Sequence, residues 1–372
     1  MSFTLIPGCN GNTASPLLLR GEGDNVYMTD NHNHPVLIIG GGISGIVCAL
    51  ELNRCGVPVV IVEKEASLGG LAVHFCCKAT EACNKCFACV VDKKIKEIGN
   101  HADIPQWTGA EVANVTGSPG TYTVSVTKAG AVSELRAAAI VVAAGIDPYE
   151  ASGKGEYGYG VIRNVITARD LEEMLRTQGK ITRPSDGRPP RTIAFFQCVG
   201  SRDETVGNLY CSQVCCAYAL RLIRALRHAD PALTVTFLYM DIQPAGASFH
   251  AFLDACRADE GIRFIRSLPS KVYHSPATDN CLVRMADTQQ GEIAEEPFDM
   301  VVLSVGMVLK KEAKALASLL GLGLNEEGFL SVPPADRGLF VTGACAGPKD
   351  IDRAITQAKS TAASVVHYLQ GR

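Results

Sequence analysis

The sequence lacks several features that mark large classes of proteins. No apolar run approaches the roughly 18 to 20 residues that a membrane-spanning helix requires. Residues 1–25 do not show a basic segment followed by an apolar one, so no secretory signal is predicted. Neither charge is in excess, because 35 Lys and Arg residues face 38 Asp and Glu residues, for a net charge of −3. These absences argue against a nucleic acid partner and predict a cytoplasmic protein without a membrane span.

Cysteine, in contrast, is abundant. The chain has 15 cysteines among 372 residues, and 47% of the residues are hydrophobic, enough to form one large core or two linked ones. Because the cytosol keeps thiols reduced, so many cysteines indicate metal or redox chemistry rather than disulfides. Five of them lie in residues 76–89 and four in residues 198–216. The six scattered ones are expected to be small buried hydrophobic residues.

The stretch PVLIIGGGISGIVCALELNRCGVPVVIVEKEASLGG predicts a βαβ unit. An apolar strand, residues 36–39, leads into a glycine-rich turn, a helix and a second strand that ends at Glu63. Gly40, Gly42 and Gly45 have the GxGxxG spacing, which allows a tight turn and a close approach of the backbone to a pyrophosphate. The helix N-terminus offers N–H groups to the phosphates. Glu63 is placed to accept a hydrogen bond from a ribose 2′-hydroxyl, so the unit is predicted to bind a dinucleotide.

Other features indicate that this dinucleotide is FAD. A glycine pair after the acidic residue resembles the flavoprotein version of the fold, and the acid would repel a 2′-phosphate. The stretch AAAIVVAAGIDP predicts a buried strand and a glycine turn, and residues 336–369 predict a strand, a glycine turn and a long helix whose dipole faces the flavin. The predicted cofactor-binding residues are Gly40, Gly42, Ile43, Ser44, Gly45, Glu63, Lys64, Gly69, Gly70, Leu71, Ala144, Gly145, Gly343, Ala344, Lys349, Asp350 and Ile351.

Lys349 is the predicted catalytic residue. Where related flavoproteins usually carry Gly-Asp, this sequence has Gly343-Ala344, so the carboxylate that would hold the ribityl hydroxyls is missing. Asp350 or Lys349 is expected to compensate. Lys349 is also predicted to lie near the flavin and to stabilise negative charge on its reduced ring, the alternative being a solvated loop lysine.

A second α/β unit begins at RTIAFFQCVGSRD, but its nucleotide-binding glycines are missing. After the strand come Cys198, a loop, and then Cys211, Cys215 and Cys216, with the spacing C-x12-C-x3-CC. A helix of about residues 212–228 is predicted, which places Cys211 and Cys215 on its first turn. Four thiolates at the positive end of a helix suit an iron-sulfur cluster. Zinc and buried cysteines without a ligand remain as alternatives.

The cysteines of VHFCCKATEACNKCFACVVDKKIKEI form a second group. Three of them repeat at the x2 spacing of ferredoxins, without the C-x3-C that follows there. Together with Cys76 or Cys77 they would complete four ligands, in a loop expected near the flavin. We predict a second cluster on Cys77, Cys83, Cys86 and Cys89, with a zinc site or a redox-active dithiol as the alternatives.

The stretches QCVGSRDE, YCSQVCC and GPKDI resemble the HdrA family of heterodisulfide reductase proteins. This family includes QmoA of the quinone-interacting oxidoreductase of sulfate reducers and the HdrA-like protein of sulfur oxidisers, and the resemblance covers roughly residues 35–369. It implies a thioredoxin-reductase-like flavoprotein with FAD and a [4Fe-4S] cluster on the four cysteines of residues 198–216. It further implies homodimers, partners similar to HdrB and HdrC, and association with a membrane-bound complex in some members.

The expected function is electron transfer between FAD, clusters and partner subunits. Some family members bifurcate electrons at the flavin. This sequence has no CxxCxxCxxxCP ferredoxin module, which predicts fewer entry points for electrons. The alternatives are a free-standing NAD(P)H- or thiol-dependent flavin disulfide reductase and a scaffold without catalysis.

The predicted fold class is α/β, with two dinucleotide-binding domains of the Rossmann type. Residues 1–34 are expected to form an N-terminal leader. Residues 35–165 and 295–372 would form the FAD-binding domain. Residues 166–294 would form a degenerate NAD(P)-type domain that carries the iron-sulfur site.

Overall fold

The computed structural model describes residues 34–243, 249–287 and 291–371. The predicted leader therefore lies outside the described residues, except for His34. In the described part, the chain forms two α/β units, each built on a five-stranded parallel sheet, which confirms the predicted fold class.

The helices and strands alternate along much of the chain. The helices are α1 (Ile43–Arg54), α2 (Ala88–Gly99), α3 (Ala168–Gln178), α4 (Cys215–Ala229), α5 (Phe249–Arg257), α6 (Lys311–Leu320) and α7 (Ile351–Gln370). The strands are β1 (Val36–Ile39), β2 (Val59–Glu63), β3 (Gln106–Thr108), β4 (Ala110–Thr116), β5 (Tyr122–Lys128), β6 (Ala131–Ala137), β7 (Ala139–Val142), β8 (Ile146–Pro148), β9 (Val165–Thr167), β10 (Thr192–Val199), β11 (Thr234–Tyr239), β12 (Ile262–Arg266), β13 (Lys271–His274), β14 (Cys281–Asp287), β15 (Glu292–Phe298), β16 (Met300–Val305), β17 (Met307–Leu309) and β18 (Leu339–Val341).

The two units share one architecture. The sheet of the first unit has the order β18-β7-β1-β2-β3, and that of the second has the order β12-β11-β10-β16-β9. In each unit, helices cover one face of the sheet, and a three-stranded antiparallel sheet, β4–β6 or β13–β15, packs on the other. Strands buried on both faces need continuous apolar sequence, as in VLII of β1 and IAFF of β10. Strands β8 and β17 pair antiparallel where the chain passes between the units.

The predicted boundary at residue 295 requires a correction. Strand β16 pairs with β10 and with β9, so residues 300–305 belong to the sheet of the second unit. The run MVVLSV would suit a buried strand in either sheet, and only the pairing decides between them. We therefore propose that the chain returns to the first unit after Val305.

The helices also bear on the question of a membrane crossing. Within residues 34–243, 249–287 and 291–371, no helix combines the length and apolar character that such a crossing requires.

Candidate functional site

At Gly40 and Gly45, the turn from β1 to α1 has no room for a side chain. A Cβ at Gly40 would lie 2.3 Å from the Ala143 carbonyl oxygen, and one at Gly45 would lie 1.9 Å from the Gly40 oxygen. Gly40 also has a φ of +109°, which L side chains rarely adopt. Helix α1 begins with Gly42 as its N-cap and without a side-chain cap, so its first N–H groups remain available to a ligand.

Glu63, at the end of β2, fixes this turn. The side chain is buried, and its two oxygens accept hydrogen bonds from Gly41 N at 2.6 Å and from Glu65 N at 2.9 Å. Each carboxylate oxygen has a second lone pair, so the predicted bond from a ribose hydroxyl is still chemically open. Glu63 therefore holds the glycine turn in shape in addition to its predicted role.

A cavity of about 1070 Å³ lies along this turn. It reaches from the glycine turn to the beginning of α7 and to the beginning of α4 in the second unit. The structure brings fifteen of the seventeen predicted cofactor-binding residues to its wall, namely Gly40, Gly42, Ile43, Ser44, Glu63, Lys64, Gly69, Gly70, Leu71, Ala144, Gly145, Ala344, Lys349, Asp350 and Ile351. Gly45 and Gly343 lie behind the wall, and a Cβ at Gly343 would lie 2.3 Å from Ser44 Oγ.

Lys349 and Asp350 are both engaged by the protein at the beginning of α7. Lys349 Nζ donates to the carbonyl oxygens of Gly343 at 2.8 Å and Gly347 at 2.6 Å, and burial lowers its pKa. Asp350 caps α7 by accepting a hydrogen bond from Arg353 N at 2.9 Å. Lys349 is thus a half-buried residue that braces the turn between β18 and α7 while lining the cavity. Its catalytic role stays a prediction.

The second unit brings its four cysteines together at the turn from β10 to α4. Cys198, Cys215 and Cys216 are buried, and Cys211 is half-buried. Cys198 lies at an irregularity of β10 with a φ of 61°, a rare conformation for a residue other than glycine. Backbone strain of this kind tends to occur at functional sites, where surrounding structure maintains it.

The four thiols interact with each other. A hydrogen bond to Cys198, together with burial and the nearby Cys211, raises the pKa of Cys215 to about 12. A hydrogen bond with Cys215, followed by burial, raises the pKa of Cys216. Among the described residues, no three His, Cys, Asp or Glu side chains are close enough to hold a single metal ion. A single zinc ion requires every sulfur at about 2.3 Å from one centre, whereas the corners of a four-iron cluster hold the sulfurs further apart.

The predicted beginning of α4 is wrong by three residues. Helix α4 begins at Cys215, so Cys211 lies in the preceding loop and not on the first helical turn. Gln213 has a φ of 61° and donates its N–H to Cys211 Sγ at 3.3 Å. The buried Ser212 holds the loop in place, because its hydroxyl bonds with Ser201 Oγ and accepts the N–H of Met307. These hydrogen bonds join residues that are distant in sequence, so local sequence periodicity could not predict where the helix begins.

This loop also touches the cleft of the first unit. Gln213 and Val214 line the 1070 Å³ cavity, and Arg353 of α7 donates to Gln213 Oε1 at 2.5 Å. The loop that carries Cys211 therefore reaches the cavity of the glycine turn through Gln213 and Val214, while the four cysteines lie outside its lining.

The second cysteine group is more exposed than the first and reaches the cavity only through Cys86. Cys77, Cys83 and Cys89 are exposed, whereas Cys76 and Cys86 are half-buried, and Cys86 lines the cavity. The loop has two residues other than glycine with positive φ, at positions 85 and 87, immediately before α2. Its binding of a second cluster stays a prediction.

A buried ionic network, which the sequence analysis did not find, supports this loop. Lys78 and Glu172 form an ion pair with only 3% and 1% of their side-chain surface exposed, and Tyr218 of α4 donates its hydroxyl hydrogen to Glu172. Cys76 N donates to Glu172 Oε1 at 2.8 Å. The network thereby joins the cysteine loop of the first unit to α3 and α4 of the second.

Most of the chain matches one known protein family. A family model described as pyridine nucleotide-disulphide oxidoreductase matches residues 34–358. The chain belongs to this family. Membership in the pyridine nucleotide-disulphide oxidoreductase family confirms the predicted oxidoreductase class.

The relationship to HdrA is also confirmed by curated relatives. An A-type iron-sulfur subunit of CoB–CoM heterodisulfide reductase from Methanopyrus kandleri is 33% identical over 415 residues, which cover 88% of this chain and 63% of that protein. The corresponding iron-sulfur subunit from Methanocaldococcus jannaschii is 32% identical over 417 residues, with the same shares covered. The chain thus spans less than two thirds of the length of these relatives.

Solved structures within the same oxidoreductase class share the fold. The thioredoxin reductase of Lactococcus lactis is 18% identical, with a TM-score of 0.60 over 91% of this chain and all of that chain. The thioredoxin reductase of T. acidophilum is 16% identical, with a TM-score of 0.58 over 91% of this chain and 99% of that chain. The predicted thioredoxin-reductase-like arrangement of two dinucleotide-binding units is therefore confirmed.

Proposed function

We propose that the chain is the electron-transferring flavin and iron-sulfur subunit of a heterodisulfide reductase-like complex. One observation carries this proposal: four cysteines meet at the β10–α4 loop of the second unit, and Gln213 and Val214 of this loop line the same cavity as the dinucleotide-binding glycines of the first. The curated relatives, which are named as iron-sulfur subunits of such reductases, support it. We propose partners similar to HdrB and HdrC, a homodimeric state and a cytoplasmic location. We assign any flavin-based bifurcation to the assembled complex.

FAD fits the first unit. The cradle at Gly40 and Gly45 has no space for a Cβ, as close approach of a pyrophosphate requires. When bound, FAD would supply two-electron and one-electron redox chemistry. The chain would orient the cofactor through the α1 and α7 N-termini and through Glu63. Lys349, already fixed by two carbonyl oxygens, would place a cation at the α7 end of the cavity.

An iron-sulfur cluster fits the four cysteines of the second unit. Cys198, Cys211, Cys215 and Cys216 provide the four thiolates that such clusters use, in a largely buried loop. Arg202, which forms an ion pair with Asp241, also interacts electrostatically with Cys198 and Cys211. Cys77, Cys83, Cys86 and Cys89 would hold the proposed second cluster.

Substitution of Gly45 by alanine tests the cradle. Gly45→Ala would push a methyl group against the Gly40 carbonyl, and such overpacking costs roughly 1–3 kcal/mol, enough to weaken FAD binding by about 5- to 150-fold. The FAD-to-protein absorbance ratio after purification and desalting measures this loss. The control is Gly99→Ala, where an added Cβ meets no neighbour. An unchanged FAD content in Gly45→Ala would contradict the assignment of the turn.

Reduction by nicotinamide cofactors tests the proposed function against its alternative. Neither NADH nor NADPH is expected to bleach the flavin, because thiols and the buried Ser212 occupy the β10–α4 turn where a pyrophosphate would bind. Anaerobic stopped-flow absorbance of the flavin measures this, with dithionite as the positive control. Rapid bleaching by either nucleotide would instead support a free-standing reductase.

A thiol-dependent disulfide reductase remains the second candidate function. The observation in its favour is that Cys86, half of a CxxC motif with Cys83, lines the cavity. In that case the flavin would exchange two electrons with a disulfide of this motif. Turnover of a disulfide substrate that Cys86→Ser abolishes, in protein free of iron, would favour this candidate.

A further inference from the structure

Arg221 of α4 reaches out of the second unit to the cysteine loop of the first. Its Nε donates to the Asn84 carbonyl oxygen at 2.8 Å, and its Nη2 donates to the Lys85 carbonyl oxygen at 3.2 Å. These two carbonyls lie between Cys83 and Cys86. The guanidinium is therefore fixed against the CxxC turn, on the wall of the 1070 Å³ cavity.

The charge of Arg221 has no close counter-ion in the part of the chain that the structure describes. Burial lowers the pKa of Arg221, and the nearby Cys86, Asp350 and Cys83 act against this effect. Asp350 is the carboxylate among these three groups, and it does not form an ion pair with Arg221. The other arginines of α4 differ, because Arg224 and Arg227 both pair with Asp259. Moving a cation out of water without a paired anion is costly. A negative charge next to the Arg221 guanidinium would therefore stabilise it.

The two thiols of the CxxC turn are the best source of that charge. Asp350 is already engaged as the N-cap of α7 and in an ion pair with Arg353 at 3.3 Å. Cys86 and Cys83 are instead held beside the guanidinium by the carbonyls between them. A cysteine that binds a metal is a thiolate, and reduction of a disulfide by two electrons breaks the S–S bond and leaves two sulfurs able to carry negative charge.

We propose that Arg221 is the positioning residue and electrostatic partner of an anionic sulfur redox centre at Cys83 and Cys86, and that it raises the reduction potential of this centre. The proposal rests on the redox centre proposed above for this loop. Reduced flavin is the electron donor in either form: one electron adds one negative charge to a cluster, and two electrons convert a disulfide to two thiolates. A fixed cation favours the more negative, reduced state in both cases. The flavin would therefore pass electrons to this centre more readily with Arg221 than without it.

Arg221→Gln tests the proposal in an equilibrium redox titration. The centre is followed by EPR if it is a cluster, or by mass spectrometry of alkylated thiols if it is a dithiol, and Cys86→Ser identifies its signal. In Arg221→Gln the oxidised-to-reduced ratio of the centre at a given potential is expected to rise about tenfold. The midpoint potential therefore falls by about 59 mV for a one-electron centre or about 30 mV for a two-electron centre. Arg221→Lys is expected to shift the midpoint in the same direction by less, because an ammonium keeps the charge but cannot hold both carbonyls.

Arg224→Gln is the matched control. It removes a cation from the same helix at a site already paired with Asp259, and it should leave the midpoint unchanged. Equal midpoints in Arg221→Gln and the unmodified protein would overturn the proposal. So would a Cys86→Ser variant that loses no redox centre. If Arg221→Gln does not assemble the centre, a midpoint in Arg221→Lys that is unchanged or raised overturns it. The FAD content and the proposed cluster on Cys198, Cys211, Cys215 and Cys216, measured in the same samples, report separately on the proposed function.

Discussion

Cys215→Ala is expected to remove one complete cluster, about four iron and four sulfide per chain, while FAD remains bound. Cys215 is the central thiol of its group: it is buried, and it interacts with Cys198, Cys211 and Cys216. Its loss leaves three ligands at a site that requires four. The dinucleotide cradle lies on a different sheet and does not depend on it. Iron and acid-labile sulfide analysis of anaerobically purified protein, with flavin absorbance, measures both expectations.

Cys256→Ala is the matched control for this substitution. Cys256 is fully buried in α5, within the helical core of the second unit and away from the four-cysteine loop. The same loss of volume there should lower stability without changing iron content. Iron content that is the same in Cys215→Ala and in the unmodified protein would show that the C-x12-C-x3-CC group does not hold the cluster.

Glu172→Leu is expected to lower the free energy of unfolding by about 3–5 kcal/mol, because it leaves the buried Lys78 ammonium without a counter-ion. The Tyr218 hydroxyl and Cys76 N would also lose the hydrogen bonds that they donate to Glu172. The double variant Lys78→Met with Glu172→Leu removes both charges and should regain most of this loss, since apolar replacement of a buried pair is often neutral. The midpoint of urea unfolding, followed by circular dichroism, measures both variants against the unmodified protein.

Glu173→Gln provides the comparison on the same helix. Glu173 pairs with Arg176 at the surface, with 46% of its side chain exposed, and surface pairs contribute at most about 1 kcal/mol. Glu172→Leu is therefore expected to destabilise far more than Glu173→Gln. Similar unfolding midpoints for the two variants, or a double variant as unstable as the single one, would contradict the importance of the buried pair.

The sequence predicts well those features that local pattern determines. The GxGxxG turn, the strand that ends at Glu63 and the capped helix after Asp350 each follow from a continuous stretch of chain, and the structure has all three. Features that depend on distant residues were not predicted. The beginning of α4 depends on hydrogen bonds of Ser212 to Ser201 and to Met307.

The buried network shows the same limit more clearly. Lys78 and Glu172 are separated by 94 residues, and neither occupies a position that its surrounding sequence marks as buried. The sheet to which β16 belongs was likewise decided by pairing alone. The cysteine spacing was sufficient to predict that four thiols meet, whereas the contact of the neighbouring Gln213 and Val214 with the cavity of the dinucleotide turn became visible only in the fold.

The most direct test of the account is the cofactor content of the unmodified protein, purified without oxygen. The account predicts one FAD per chain together with at least about four iron and four sulfide, and an EPR signal of a reduced cluster after dithionite treatment. Protein with a full complement of FAD but without iron, sulfide or such a signal would contradict it.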